Sequence, residues 1–236
     1  MKKMSWIVRL TLAAVFALTA SVAFADGNAV LGAKKINFPD INDYTLYIDR
    51  SVPPLSTLLD CLTICGPQYA QGAIAAYFLD DDVAKDKIKD CIKTGGILIS
   101  RSGIRVDKTA GNAKVLAGIK ASRNSSEAKA MLLNETNRCG KLVGATFNET
   151  YETKSIEEVD LITGPNYILS VLRFQRAEQI NGQTRLLARY ETLSHIILNG
   201  EVFIVACSDS RKFADAKPTE EFALQFLKAL SAANPD

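Results

Sequence analysis

The fold of this chain is decided by residues 167–208, which read YILSVLRFQRAEQI NG QTRLLARYETLSHIIL NG EVFIVACS. Each of the two Asn-Gly pairs, Asn181-Gly182 and Asn199-Gly200, lies between long runs rich in β-branched, aliphatic and aromatic residues. An Asn-Gly pair in that position is the strongest local signal for a two-residue hairpin turn, because both residues accept a positive φ. The stretch therefore predicts three antiparallel strands joined as a meander.

Two-residue turns also determine which residues of neighbouring strands face each other. The predicted facing pairs are Ile168 with His195, His195 with Ile204, Val171 with Thr192, and Thr192 with Cys207. The same register places Ile168, Leu172, Leu193, Ile197, Val202, Ile204 and Ala206 on one face and Leu169, Val171, Ile196, Phe203, Val205 and Cys207 on the other. A sheet that is apolar on both faces needs cover on both sides.

Amphipathic segments elsewhere in the chain supply that cover. The sequence predicts helices over 54–65, from Asp80 to Gly95-Gly96, over 108–139 in two pieces with a break near Asn124 and an end at Gly140, and from about Thr219 onward. It predicts further strands over 44–49, 73–79, 97–106 and 142–152. The expected fold is α+β: a three-layer α/β/α sandwich with a mainly antiparallel central sheet, a C-terminal three-stranded meander and a closing helix.

The composition is that of a globular domain. Hydrophobic residues make up 47% of the chain and charged residues 23%, which excludes disordered and collagen-like classes. A formal net charge of +2 leaves no basic footprint for nucleic acid, so no nucleic-acid partner is expected. We expect a single α/β domain over residues 26–236, with a helix-rich half over about 43–140 and a strand-rich half over about 141–236.

The first twenty-five residues have the pattern of a secretory signal peptide. Three basic residues without an acid flank the start of an apolar stretch over 10–18, and Ala23-Phe24-Ala25 offers small residues at the cleavage site. We expect cleavage between Ala25 and Asp26, which takes the formal net charge from +2 to −1. The apolar stretch is shorter than the roughly 20 residues of a membrane anchor. The expected product is periplasmic or secreted, with no membrane span after cleavage.

The single histidine, His195, is the first residue to test for catalysis. Its neighbour Ser194 points to the opposite face of the strand, so the two cannot act as nucleophile and base, and no G-x-S-x-G sequence is present. We interpret His195 as a core residue between Ile168 and Ile204. The sequence also lacks zinc-ligand spacing, a calcium loop after Asp80 and a glycine-rich phosphate loop. We therefore expect no catalytic set, no metal and no cofactor.

Cysteines carry the most informative polar chemistry in the chain. Cys61, Cys65, Cys91 and Cys139 are the disulfide candidates, because structural bridges form in an oxidising envelope. We expect at least one bridge from Cys61 or Cys65 to Cys91 or Cys139. Cys207 lies within a predicted core strand and is the expected buried free thiol.

Four arginines lie toward the tip of the first hairpin of the meander. They are Arg173, Arg176, Arg185 and Arg189. The simplest interpretation is a solvated hairpin end. A sharper hypothesis is a contact for an anion or a partner.

The segment from about Phe147 to the C-terminus resembles the PsbP-like α/β/α superfamily. The likeness lies in the long meander turning at Asn181-Gly182 and Asn199-Gly200, the strand of residues 201–205 and the closing helix. It rests on the order of the elements, covers less than half of the chain and transfers no site residue. It implies a fold that often serves as a non-catalytic binding or assembly module.

The sequence thus favours an exported, soluble envelope protein that binds or helps to assemble an unknown protein or small-molecule partner without catalysis. The alternative that stays open is a small periplasmic hydrolase or thiol enzyme that uses His195 or the pair Cys61 and Cys65.

Overall fold

The computed structural model describes residues 36–84, 96–106, 111–123, 125–147, 152–180, 183–208 and 215–235. The predicted leader, Cys91 and the turn at Asn181-Gly182 lie outside these residues.

Helices and strands alternate in blocks along the described chain. The strands are Tyr44–Tyr47 (β1), Ala73–Leu79 (β2), Gly96–Arg105 (β3), Glu152–Thr163 (β4), Tyr167–Ile180 (β5), Gln183–Leu198 (β6) and Glu201–Ser208 (β7). The helices are Leu55–Cys65 (α1), Pro67–Gln71 (α2), Asp80–Ala84 (α3), Gly111–Arg123 (α4), Ser126–Phe147 (α5) and Ala216–Ala233 (α6). This content of helices and strands matches the predicted α+β class.

The strands form one seven-stranded sheet in the order β1-β2-β3-β7-β6-β5-β4, with every neighbouring pair antiparallel. The predicted meander is confirmed as β5, β6 and β7. All four predicted facing pairs, including Ile168 with His195 and Thr192 with Cys207, are also confirmed. At the second turn Asn199 and Gly200 have φ values of 52° and 79°, as a two-residue hairpin of this type requires.

Helices cover the sheet on both sides, which confirms the three layers. On one side α1, α2 and α5 pack on residues such as Leu98, Leu172 and Leu193, and α4 packs beside them. On the other side α6 packs on residues such as Leu169 and Val205. We refer to these sides as the α5 face and the α6 face. The even-numbered residues of β5 from Ile168 to Arg176 lie on the α5 face.

The helix α5 is longer than the sequence predicted. The expected end at Gly140 and the strand over 142–152 are wrong, because the helix continues to Phe147 and β4 begins at Glu152. The helix-rich half therefore extends to residue 147. Glycine inside a helix costs about 1 kcal/mol relative to alanine. Here Val143, one turn further on, is fully buried, and burying a valine side chain returns about 1.5–3 kcal/mol.

Other elements follow their sequence signals closely. In α1 the predicted stripe of Leu55, Leu58 and Leu62 is buried, and the chain leaves the helix at Gly66 with φ 153°. The apolar stripe of the closing helix is buried as well, through Ala223, Phe226, Leu227 and Leu230. None of the helices in the described residues is both long enough and apolar enough to cross a membrane.

Candidate functional site

A pocket of about 230 Å³ opens on the α5 face, where the end of α4 and the first turns of α5 meet β4 and β5. We call it the α4–α5 pocket. Its lining consists of Arg123, Lys129, Leu132, Ile156, Glu157, Glu158 and Leu172. Pockets for drug-sized ligands occupy about 300–1,000 Å³, so this one suits a smaller molecule.

Local sequence signals position both walls of the α4–α5 pocket. The hydroxyl of Ser125 accepts the backbone N–H of Ala128, and this cap starts α5 directly after α4 has ended at Arg123. Lys129 lies one turn into the new helix. On the opposite wall, strand alternation turns both Ile156 and Glu158 toward the α5 face.

Arg123 lines the pocket, and all three nitrogens of its guanidinium are buried. The residue is 5% exposed, and its Nη2 lies 3.9 Å from Oε1 of Glu158. Burial lowers the pKa of Arg123 to about 10, and the Glu158 carboxylate opposes that shift. The guanidinium is therefore still protonated at neutral pH. The hydroxyl of Ser170 donates a hydrogen bond to the same Glu158 oxygen, which holds the carboxylate in place.

Two further charged residues line the pocket, but strand alternation turns the side chain of Glu157 toward the α6 face. The Glu157 carboxylate forms an ion pair with Arg173, which lies opposite it on β5. The ammonium group of Lys129 is exposed to solvent. The inner walls are apolar, because Leu132 and Leu172 are buried there.

His195 lies in the core and not in the pocket. It is 0% exposed, and within the described residues neither ring nitrogen has a hydrogen-bond partner. Burial lowers the pKa of His195 well below 6.5, and the positive charge of Arg123 adds to the shift. Ser194 lies opposite Leu169 and Val205 on the other face of the sheet. Within the described part of the chain, no nucleophile or acid therefore hydrogen-bonds to the His195 ring.

One pair of cysteines cross-links two of the described helices. Cys65 is bonded to Cys139, with 4.9 Å between their Cα atoms, so the bridge joins α1 to α5. This pair is one of the four that the sequence offered. Cys61 is disulfide-bonded as well, whereas Cys91 lies outside the described residues. Cys207 is free and buried, and burial raises the pKa of its thiol to about 12, although the neighbouring Thr192 hydroxyl opposes this rise.

Two of the four hairpin arginines, Arg173 and Arg176, differ in burial and in their partners. Arg176 is 1% exposed; its guanidinium stacks on the Phe174 ring at 4.8 Å, and its Nη2 lies 3.3 Å from Oε1 of Glu191. Arg173 lies on the α6 face, in the ion pair with Glu157. Strand alternation places these two arginines on opposite faces of the sheet. A contact of the four arginines with an anion or a partner stays a prediction.

The two remaining arginines of that group are Arg189 and Arg185. Arg189 is half-buried opposite Phe174. For Arg185 the structure describes the backbone, which pairs with Glu178, but not the side chain.

Sequence reasoning missed the residues of the α4–α5 pocket. Arg123 lies at the end of a predicted helix, and Glu158 lies two positions after Ile156 in an acidic strand and so shares its face. Each residue therefore has a weak local signal for an inward-facing side chain. Their proximity has no such sign, because it depends on how α4 packs against β4.

Among the described residues, no group of three or more His, Cys, Asp and Glu side chains is placed to hold a metal ion. In comparisons with family models, curated proteins and solved structures, no match to this chain was found.

Proposed function

We propose that this is an exported protein of the cell envelope, periplasmic or secreted after cleavage between Ala25 and Asp26, that acts as a non-catalytic binding or assembly module. The observation that carries the proposal is the α4–α5 pocket. Its described lining combines apolar side chains with the exposed ammonium group of Lys129, and such a mixture of apolar walls and a few polar groups is typical of small-ligand sites. The lining contains neither His195 nor a cysteine.

The disulfide chemistry supports the exported location. Structural bridges persist in oxidising compartments such as the periplasm and are rare in the reducing cytosol of mesophiles. The Cys65–Cys139 bridge is buried between two helices and links residues 74 positions apart, as a structural bridge does.

No specific observation favours the alternative of a hydrolase or thiol enzyme. Cys65 is joined to Cys139 and not to Cys61, so the two cysteines of α1 do not form a dithiol couple with each other. His195 is enclosed by the sheet and its covering helices.

A relationship with PsbP-like proteins is also a proposal. It rests on the order of β5, β6, β7 and α6 in the C-terminal half. If the relationship holds, it favours a binding or assembly role over catalysis.

The export proposal can be tested by expressing the full chain in a bacterium with two membranes and fractionating the cells. We expect the protein in the periplasmic fraction, with an intact mass that begins at Asp26, because the leader presents small residues at the cleavage site. Ala25→Leu should block cleavage, whereas the control Ser21→Ala leaves both small positions unchanged. A product that keeps Met1 to Ala25, or that stays in the cytoplasm, would contradict the proposal. Cross-linking of the wild-type protein in envelope extract then identifies the partner.

A further inference from the structure

We propose that α4 is a pH-sensitive cover of the sheet: when His195 takes up a proton, α4 opens away from the sheet while the rest of the fold persists. Neither the export of the protein nor a ligand in the α4–α5 pocket is needed for such a device. Three features of the molecule point to it, namely the position of His195, the charges near it and the small buried surface of α4.

His195 lies at the border of the apolar cluster that α4 covers. On the α5 face its neighbours are Ile168, which faces it on β5, and Ile197, two positions along β6. Both isoleucines belong to the cluster that Leu116 and Ile119 of α4 cover. His195 is fully buried, and its ring nitrogens have no hydrogen-bond partner among the described residues. Because a protonated imidazole carries two N–H donors and a full charge, water must reach this site before the ring can hold a proton.

The charged groups near His195 disfavour a second positive charge there. Arg123 of α4 is nearly fully buried, and its positive charge adds to the effect of burial on the imidazole. Glu158 of β4 lies 3.9 Å from Arg123 and compensates that charge. The ion pair of Arg176 with Glu191 lies further away, since Glu191 is four positions along β6 from His195. Protonation of His195 would therefore place two cations beside one carboxylate under α4.

The remaining elements around His195 bring no charge that could offset this. Within the described residues, the elements that flank or cover it present uncharged side chains on this face: Ile168 and Ser170 on β5, Ile204 and Ala206 on β7, Ser100 and Ser102 on β3, and Leu132 and Thr136 on α5. The site can thus accept a proton only if it opens to water.

Only a small buried surface attaches α4 to the sheet. Its buried side chains are Leu116, Ile119 and Arg123, and the last of these is itself charged. The helix contains no cysteine, whereas a disulfide joins α5 to α1. Local opening occurs where few buried apolar contacts hold an element. Detaching α4 therefore admits water to His195 at a smaller cost than unfolding the whole sheet.

The difference in proton uptake gives the direction of the pH dependence. In the open form the exposed His195 has the ordinary pKa of about 6.5, whereas the closed form holds its pKa well below that value. Below pH 6.5 the open form therefore binds a proton that the closed form does not. The equilibrium constant for opening should rise up to about tenfold per pH unit, until the pKa of the closed form is reached. Above pH 6.5 this contribution vanishes.

The test is hydrogen–deuterium exchange of the mature protein between neutral pH and about pH 5, with each rate corrected for the intrinsic pH dependence of amide exchange. The amides of Leu116 and Ile119 report on α4, and the amide of Leu227 reports on α6. We expect the α4 amides to exchange faster than those of α6 and to open up to about tenfold more often per pH unit below 6.5. Equal protection of α4 and α6 at each pH, or α4 opening that does not rise with acid, would overturn the proposal.

Two variants separate the trigger from the helix that moves. His195→Gln cannot titrate, so acid should no longer increase the opening of α4. Ile119→Ala removes part of the apolar contact of α4 and should raise its opening about thirtyfold or more at every pH, with the pH dependence unchanged. Opening of α4 that still increases with acid in the glutamine variant would exclude His195 as the trigger and overturn the proposal. If that variant fails to fold, the exchange profile of the wild-type protein decides by itself.

Discussion

Buried ionisable side chains on the α5 face are stabilised in two different ways. Arg176 lies against Glu191, and Arg123 lies near Glu158, so these buried charges have opposite charges close by. His195 has no such neighbour and is instead held neutral by burial and by the charge of Arg123. A neutral buried histidine makes stability depend on pH near neutrality.

At the residue scale we predict that stability falls as the pH drops below about 6.5, the ordinary pKa of histidine. The folded protein holds the pKa of His195 well below 6.5, so below that pH the unfolded chain takes up a proton that the folded protein does not. The stabilisation is therefore present above pH 6.5 and is lost toward the folded pKa, at up to about 1.4 kcal/mol per pH unit. Urea unfolding between neutral and mildly acidic pH measures the slope.

The control is His195→Gln, which cannot titrate and should flatten the slope because His195 is the single histidine. The Arg138 guanidinium holds the pKa of Glu135 below 4.5, so that carboxylate contributes to the slope only in more acidic solution. An unchanged slope in the glutamine variant would mean that His195 does not cause the dependence.

At the element scale, the contact between α1, α2 and α5 is the most heavily cross-linked part of the described chain. The Cys65–Cys139 bridge joins α1 to α5. Beside it, the Tyr69 hydroxyl donates to Glu135 and the Arg138 guanidinium donates to the carbonyl of Cys65. Burial, with help from Glu135, raises the pKa of Tyr69 to about 12, so the phenol is a donor at physiological pH. The helices of this layer are thereby held in one arrangement over the sheet.

We predict that the double variant Cys65→Ser, Cys139→Ser lowers the free energy of unfolding by about 2–4 kcal/mol. The physical reason is that the bridge closes a long loop, whose ends are 74 positions apart in the sequence, and so lowers the conformational entropy of the unfolded chain. Denaturant titration monitored by circular dichroism measures the change. Cys207→Ala serves as a control that removes a buried thiol without opening a bridge. A double variant as stable as the parent would show that the bridge contributes nothing.

At the scale of the whole molecule, the first and last described segments are hydrogen-bonded to each other. The side chain of Asn234 accepts the backbone N–H of Asn37 at 2.8 Å and donates to its carbonyl at 2.7 Å. Its amide also donates to the carbonyl of Leu230 in α6 at 2.8 Å. The Tyr77 hydroxyl donates to the carbonyl of Pro39 at 2.7 Å. The arm over 36–41 thus lies against the α6 face.

We predict that Asn234→Ala lowers the free energy of unfolding by about 0.5–1.5 kcal/mol, because it removes the part-buried hydrogen bonds to the backbone of Asn37. Urea unfolding gives the magnitude, and hydrogen exchange at the Asn37 amide should accelerate. Gln225→Ala, at an exposed position of the same helix, should stay within about 0.5 kcal/mol of the parent. Unchanged exchange at Asn37 would argue that the arm is held by its apolar contacts alone.

Several features of the molecule were determined by the sequence alone. The meander, its register and its two apolar faces follow from Asn-Gly pairs and from a period of two residues, and α1 and α6 follow from their apolar stripes. Turn geometry and side-chain alternation depend on residues that are close in the sequence, so a short stretch of sequence is enough to predict them.

Other features were decided only by the tertiary structure. Leu98 of β3 pairs with Ala206 of β7, Cys65 bonds to Cys139, and Arg123 comes close to Glu158. In the same way, α5 continues past Gly140, and Val143 beyond that glycine is buried in the core under the α5 face. Each of these contacts depends on which surfaces are buried together after distant segments have met. The free energy of such burial depends on both packed segments together, so the sequence of one segment alone does not predict the contact.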